Sequence, residues 1–346
     1  MPGRVPPHSE LGNKISASIR EVFSQKLSTN EGERASIAQA SQAIEKQATK
    51  IAILWKDISC VDEESAQATL QEMLVGCIAL HASGGNTYRI MGPTLSEAVL
   101  AALVAVGEAC ASLVEAVTSP NPKQREENLP QFAGVVWERC KAMEKLPKDN
   151  RAAVGRALAK TATLVKDIVR EINEIDTDKD PAEGKEEDDD DEDDNGDCDS
   201  DGNPIADLDF DADFDADELR VVAAAKPLFP AVVDVTRSMV RELAEGSEPA
   251  DEEELALIEK ALTSAKRMMV ACESLGASLY PPQDPEELQK HTAEVEEELQ
   301  AAKVALASRR GAAVADASKS NALDAAAADL QALCAALGTA LTLSED

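Results

Sequence analysis

The sequence predicts an all-α protein, two up-and-down helical bundles joined by a disordered acidic linker. Three observations carry that prediction. Apolar residues recur at helical spacing along most of the chain, and no stretch sustains the alternation of a strand. Apolar residues make up 44% of the 346 while aromatics make up only 3%, so the core is built from Ala, Leu, Val and Ile, which suit closely packed helices. Between the two apolar regions, residues 176–217 hold 22 acids against Lys179 and Lys185 and almost no apolar side chain before Ile205. Such a segment cannot bury enough surface to offset its ordering entropy, and its charges repel one another.

The elements follow in chain order. Residues 1–9 read as a disordered tail, and residues 10–175 as an N-terminal five-helix bundle. Ile37, Ile44, Ile51 and Ile58 recur every seven residues, with Ala48 and Trp55 between them, which predicts one apolar seam along a helix of about thirty residues. A second helix after Val61 turns Leu70, Leu74, Cys77 and Leu80 inward. The turn SGGNTYRIMGPT breaks the chain, and Thr94 with Glu97 three residues on predicts a capping box. Behind it run Val99, Leu103, Val106, Cys110, Leu113 and Val117, then, after SPNPK, Phe132, Val136, Cys140 and Met143. LPKDN closes that helix, and a long fifth one carries Val154, Leu158, Ala162, Val165, Ile168, Ile172 and Ile175.

As a flexible coil, the linker at 176–217 would reach about 35–40 Å on average, more once its charge expands it. Helical pattern resumes near Asp217, and residues 218–343 form a C-terminal bundle of about four helices. Leu219 and Val222 lead into KPLFP, where Pro227 and Pro230 kink or interrupt the helix. Val232, Val235, Met239, Val240 and Leu243 continue it, followed by a helix from Leu255 to Leu279. SLYPPQDPEE makes a turn, an acidic helix spans His291 to Ala307, and a last helix carries Leu323, Ala327, Leu330, Cys334, Leu337 and Leu341.

Charge and cysteine usage narrow the function. The net charge is −32, of which −20 lies within 176–217 and an ordinary −12 on the remainder. With no basic stripe, direct nucleic-acid binding is disfavoured and basic protein partners are favoured. Seven cysteines are irregularly spaced without a CxxC or Cys/His pattern, and all but Cys198 fall among apolar helical residues, which predicts reduced thiols in a core. The opening MPGRVPPHSE lacks the layout of a signal peptide, and the most apolar run, Ala98 to Val106, falls far short of the roughly twenty residues a bilayer requires. A soluble intracellular protein with no membrane partner is expected.

Chemistry is sparse. DCDSDGNPIADL (Asp197 to Leu208) spells the first half of an EF-hand loop, but Leu208 stands where the closing bidentate Glu belongs. Pro204 occupies the eighth position, and the acids upstream cannot form the entering helix, so diffuse cation association is expected rather than a metal site. His8, His81 and His291 lie near no nucleophile motif, Cys77 and His81 lack a third ligand, and SGGN follows a helix rather than a strand. No catalytic residue, cofactor, metal or small-molecule ligand is expected, and the chain is not expected to be an enzyme. What remains is protein binding. Trp137 and Tyr280 stand out in a chain so poor in aromatics, as contact anchors or as residues that close a bundle and tuck a turn.

At these residues the sequence resembles a known family. GVVWERCKAMEKLPKDNRAAV (Gly134 to Val154) is similar to the V-W-x-x-C … P-x-D-N-x-A-A segment of the cyclin-D-binding proteins, the Grap2 and cyclin-D interacting family. ASQAIEKQATKIAILWKDI resembles that family's first long helix, GPTLSEAVLAAL its G-x-T-L turn, and ASLYPP its S-I-Y-P-P, in the same order and around an acidic spacer. The signature places Trp137, Cys140, Pro147, Asp149, Asn150, Tyr280, Pro281 and Pro282 as fold-signature or partner-binding positions. The resemblance implies talin- or vinculin-like bundles, no catalysis, and partners among D-type cyclins and helix-loop-helix transcription factors. It also implies a role in restraining the cell cycle, in cytoplasm and nucleus. Two further readings are an acidic chaperone for histones or other basic proteins, from the linker, and a talin-like cytoskeletal linker.

Overall fold

The computed structural model describes residues 7–25, 27, 37–55, 62–86, 90–119, 121–177, 214–245, 249, 251–312 and 317–343. These residues form helices α1 (Pro7–Ser24), α2 (Ile37–Leu54), α3 (Glu63–Asn86), α4 (Pro93–Thr118), α5 (Pro122–Met143), α6 (Asn150–Glu174), α7 (Ala216–Ala225), α8 (Leu228–Glu245), α9 (Glu252–Ser278), α10 (Pro285–Ala312) and α11 (Ala317–Leu343), with no strand among them. The chain divides into two compact units, Met1–Ala153 with Glu248–Leu255, and Val154–Ser247 with Ala256–Asp346. The linker expected at 176–217 falls mostly on 178–213, outside the described residues, together with the incomplete calcium loop. Its expected C-terminal end is corrected. Asp215 caps α7, accepting the Asp217 and Glu218 amides, while the Glu218 side chain returns to the Asp215 amide in a full capping box.

In the first unit α1 packs on α3 and α4, α4 on α5, α5 on α2, and α2 on α3, which closes a ring of five helices. Residues 10–175, expected to hold five helices, hold six among the described residues, and α1 to α5 rather than the helix at 150–174 close this bundle. Ile15, Ile19 and Phe23 of α1 fill the place expected for the helix at 150–174. α1 begins at Pro7, inside the tail expected at 1–9, and residues 1–6 lie outside the described residues. α2 buries Ile37, Ile44, Ala48 and Ile51 as the heptad demands and ends at Leu54, well short of about thirty residues; Ile58 lies outside the described residues. α4 buries its whole predicted seam, Val99 to Val117. Its N-cap, however, is Gly92 rather than Thr94, because Pro93 fits the first helical position, where a missing N–H costs nothing.

The second unit is built on α6 through α11. Val154, Leu158, Val165 and Ile172 of α6 join Val222, Phe229, Met239, Leu262, Cys272, Leu299, Leu330 and Leu337 in one core. The boundary expected at 175 therefore falls near 153, at the start of α6. An apolar stripe states that a helix is buried but not against what, and the short turn before α6 suggested the wrong neighbours. The Pro-interrupted region forms as expected: α7 stops at Ala225, Lys226 and Pro227 turn, and α8 restarts with Pro230 in its first turn, where the ring is tolerated. The Lys226 ammonium donates to the Ile175 carbonyl and ties this turn to the end of α6.

Among the described residues two helices are long and apolar enough to cross a membrane, Pro93–Thr118 and Ala322–Thr342. Twelve residues of the first are buried in the bundle core, from Leu95 to Thr118, so its apolar character is used there. The second points Leu323, Leu330, Leu337 and Leu341 into the core and exposes mostly alanine and threonine.

Candidate partner-binding surfaces

The signature residues divide between the two units: Pro147, Asp149 and Asn150 gather at the turn before α6, Trp137 and Cys140 lie on α5, and Tyr280, Pro281 and Pro282 form the turn after α9. In the first unit, Asp149 and Asn150 open α6. Asp149 accepts the Ala152 amide at 2.7 Å and caps the helix, with the Arg151 guanidinium 3.6 Å from its carboxylate. Asn150 is 1% exposed and reaches sideways instead. Its Oδ1 accepts the Gly92 amide at 2.8 Å, and its Nδ2 donates to the Ile90 carbonyl at 3.0 Å. The G-P-T-L turn and the P-x-D-N turn are therefore one clamp, in which a side-chain amide pairs with the backbone as a neighbouring strand would. Pro147 is buried beside it. Sequence reading selected Asp149 and Asn150 but had no signal that Ile90 and Gly92 were their partners.

Upstream on α5, Cys140 and Trp137 share a helix but not an environment. Cys140 is buried, and burial, then the Glu45 carboxylate and Cys77, push its thiol up to about 12. Trp137 is 39% exposed and presents the one large aromatic surface on α5 that is open to solvent. It is partly covered and partly open, whereas Trp55, just after α2, is wholly buried in the core.

In the second unit the SLYPPQ turn joins α9 to α10. The Gln283 amide donates to Glu218 Oε1, and its Nε2 donates to the carbonyls of Glu218 and Leu279, so the turn is fastened to the start of α7. Tyr280, also 39% exposed, lies with its ring 6.3 Å from that of Phe214, tilted at 46°. Burial, then the Glu171 and Glu174 carboxylates at the end of α6, hold its phenol above its ordinary range. Pro281 and Pro282 are joined by a cis peptide, Pro281 half-buried and Pro282 exposed. Phe214 and the Glu218–Gln283 staple were not selected from sequence, although FDADFDADEL, which contains Phe214, marked the point where a folded unit resumes.

The remaining reactive groups are engaged structurally. His81 bonds the Gln25 carbonyl at 3.2 Å and meets Phe23 edge-on, fastening the end of α1 to α3. His291 pairs with Glu294 at 3.0 Å. The Cys110 thiol hydrogen-bonds Cys77, which with burial raises it well above its usual range, and burial raises Cys272 and Cys334 likewise. Among the described residues no three His, Cys, Asp or Glu side chains converge as a metal site.

Comparison with known proteins bears on what these surfaces serve. The family model for the N-terminal part of Grap2 and cyclin-D-interacting proteins matches residues 36–178, and the model for their C-terminal part matches residues 186–303. A Xenopus laevis cyclin-D1-binding protein 1 homolog is 30% identical over 146 residues, covering 42% of this chain and 44% of the relative. The Danio rerio homolog is 24% identical over 248 residues, 71% of this chain and 69% of the relative. Homo sapiens cyclin-D1-binding protein 1 is 26% identical over 166 residues, 48% of this chain and 43% of the relative. The similarity thus spans less than half the length of the frog and human proteins and about two thirds of the zebrafish one. With both halves of the family present in order, around clamps built from its signature turns, the chain belongs to the Grap2 and cyclin-D-interacting family.

Proposed function

We propose that this chain is a non-enzymatic regulator that acts by holding other proteins on its helical surfaces. A D-type cyclin is its first partner and helix-loop-helix transcription factors are a second class. Its action in this reading is to modulate cell-cycle progression and transcription, in cytoplasm and nucleus. The observation that supports the reading is the ordered match of both family halves across residues 36–303, whose relatives are named for binding cyclin D1. Trp137 is the proposed anchor in the first unit, because a half-exposed tryptophan on a rigid helix offers large contact area at little entropic cost.

Titration calorimetry of the purified full chain with a purified D-type cyclin tests this. Saturable binding at a fixed stoichiometry is expected, weakened on the order of tenfold or more by Trp137→Ala. No heat or complex at tens of micromolar would remove the cyclin reading. Binding untouched by Trp137→Ala would keep the cyclin and move the contact elsewhere.

A further inference from the structure

We propose that Phe214 and Tyr280, with Glu171 and Glu174 beside them, form a docking surface for a basic, arginine-bearing segment of a partner protein. The surface lies wholly in the second unit and does not depend on the cyclin reading. Phe214 packs its inner side against the core and Tyr280 stays partly open, so two ring faces are held in place at solvent's edge. The backbone behind them is fastened by Gln283 on Glu218 and by the Asp215 capping box, so their position is set before anything binds.

Charge selects the occupant. Glu171 and Glu174 are exposed and lie close enough for their charges to act on Tyr280. Asp215 and Glu218, which hold the capping box, add two carboxylates at the start of α7 that no cation among the described residues pairs with. At the end of α6 and around α7, Arg170 pairs with Asp167 at 3.4 Å, Arg220 pairs with Asp217 at 2.6 Å, and Lys226 donates to the Ile175 carbonyl. An aromatic face rimmed by carboxylates favours a guanidinium, whose flat cation stacks on the ring while its edge donates to the acids. An acidic segment would meet repulsion there, and a purely apolar one would leave the carboxylates unused.

The test is fluorescence anisotropy of the full chain with a labelled twelve-residue peptide, Gly-Arg-Ser repeated four times, at two salt concentrations. All variants share the same acidic sequence at 178–213, so its contribution cancels in the comparison. Tyr280→Leu and Phe214→Leu are expected to weaken binding on the order of tenfold, while Tyr280→Phe keeps it. Glu171→Gln with Glu174→Gln, both exposed and therefore safe for folding, is expected to weaken it similarly and reduce its salt dependence. Glu297→Gln with Asp329→Asn removes the same charge from exposed positions on α10 and α11 and is expected to leave binding unchanged. The proposal is overturned if the native chain does not bind the peptide, or if the Glu171 and Glu174 pair can be neutralised without loss. Equal loss in the control pair would overturn it too, since general acidity would then explain the attraction.

Discussion

At the scale of single residues, the clearest division is between signature positions that hold the fold and those that face solvent. Asn150 belongs to the first kind. Asn150→Ala would leave the buried Gly92 amide and the Ile90 carbonyl unpaired, which costs about 2–4 kcal/mol, whereas Asp149→Ala removes one cap bond and costs about 1 kcal/mol. Both tryptophans of the chain lie in the first unit, so tryptophan fluorescence during denaturation reads that unit and should show the order Asn150→Ala below Asp149→Ala below native. A reversed order would mean that the Asn150 clamp holds the first unit less firmly than the Asp149 cap does. The thiols give a second prediction. In the unfolded chain Cys140 and Cys334 ionise near 9.0, but in the folded chain burial keeps them protonated up to about 12. Their stabilising contribution is complete below the lower value and is lost progressively as pH rises through that window. At pH 8 a chain with Cys60→Ser and Cys198→Ser should show no fast-reacting thiol until denaturant releases the other five. A fast-labelled thiol in the native variant would contradict their burial.

At the scale of elements, helices were legible and their neighbours were not. The seams of α4, α8 and α11 stand in the sequence as uninterrupted apolar spacing, and the structure buries them accordingly. Periodicity carries no address, however, so α6 could be seen as a helix yet assigned to the wrong core. α1 escaped notice because Ile15, Ile19 and Phe23 are few and are followed by residues without a clear seam. Its packing depends on absences that periodicity does not register. A Cβ at Gly107 would strike the Phe23 ring, and one at Gly12 would strike the Thr118 side chain, so two glycines let α1 and α4 approach. Arg20 then bridges Glu108 and Glu115 of α4 across the same contact, with modest effect because the groups are partly exposed. Gly107→Ala raises helix propensity by about 1 kcal/mol, yet the overlap with Phe23 costs about 1–3 kcal/mol, so the tryptophan-reported transition should move to lower denaturant or stay level. A marked gain in stability would show that α1 yields freely at this point. The candidate surfaces were legible only as residue types: Trp137 and Tyr280 were conspicuous as rare aromatics, while Phe214 acquires its place only from the turn that meets it.

At the scale of the whole molecule, the question is what the uneven charge does. Residues 178–213 carry nineteen acids and two lysines, more than half of the net −32, so they dominate the long-range attraction for any basic protein. A regulator that grips its partner with helical surfaces uses this charge for steering, whereas an acidic chaperone uses it for the binding itself. Replacing 178–213 with a neutral Gly/Ser stretch of equal length separates the two. The described contacts at the flanks, Asp215 on α7 and Lys226 on Ile175, lie outside the replaced span, so tryptophan fluorescence and helical content should not change. Under the regulator reading, cyclin association slows at low salt but the dissociation rate is kept, because screening over about 8 Å at physiological salt already removes most of the steering. Under the chaperone reading, binding of histones or other basic proteins is abolished, and the native chain's affinity falls steeply with salt. Surface-plasmon measurements of both chains with both partners at two salt concentrations supply the association and dissociation rates for each case. A replaced chain that loses the cyclin through faster dissociation would place the binding energy in the acidic segment and reject the helical-surface regulator.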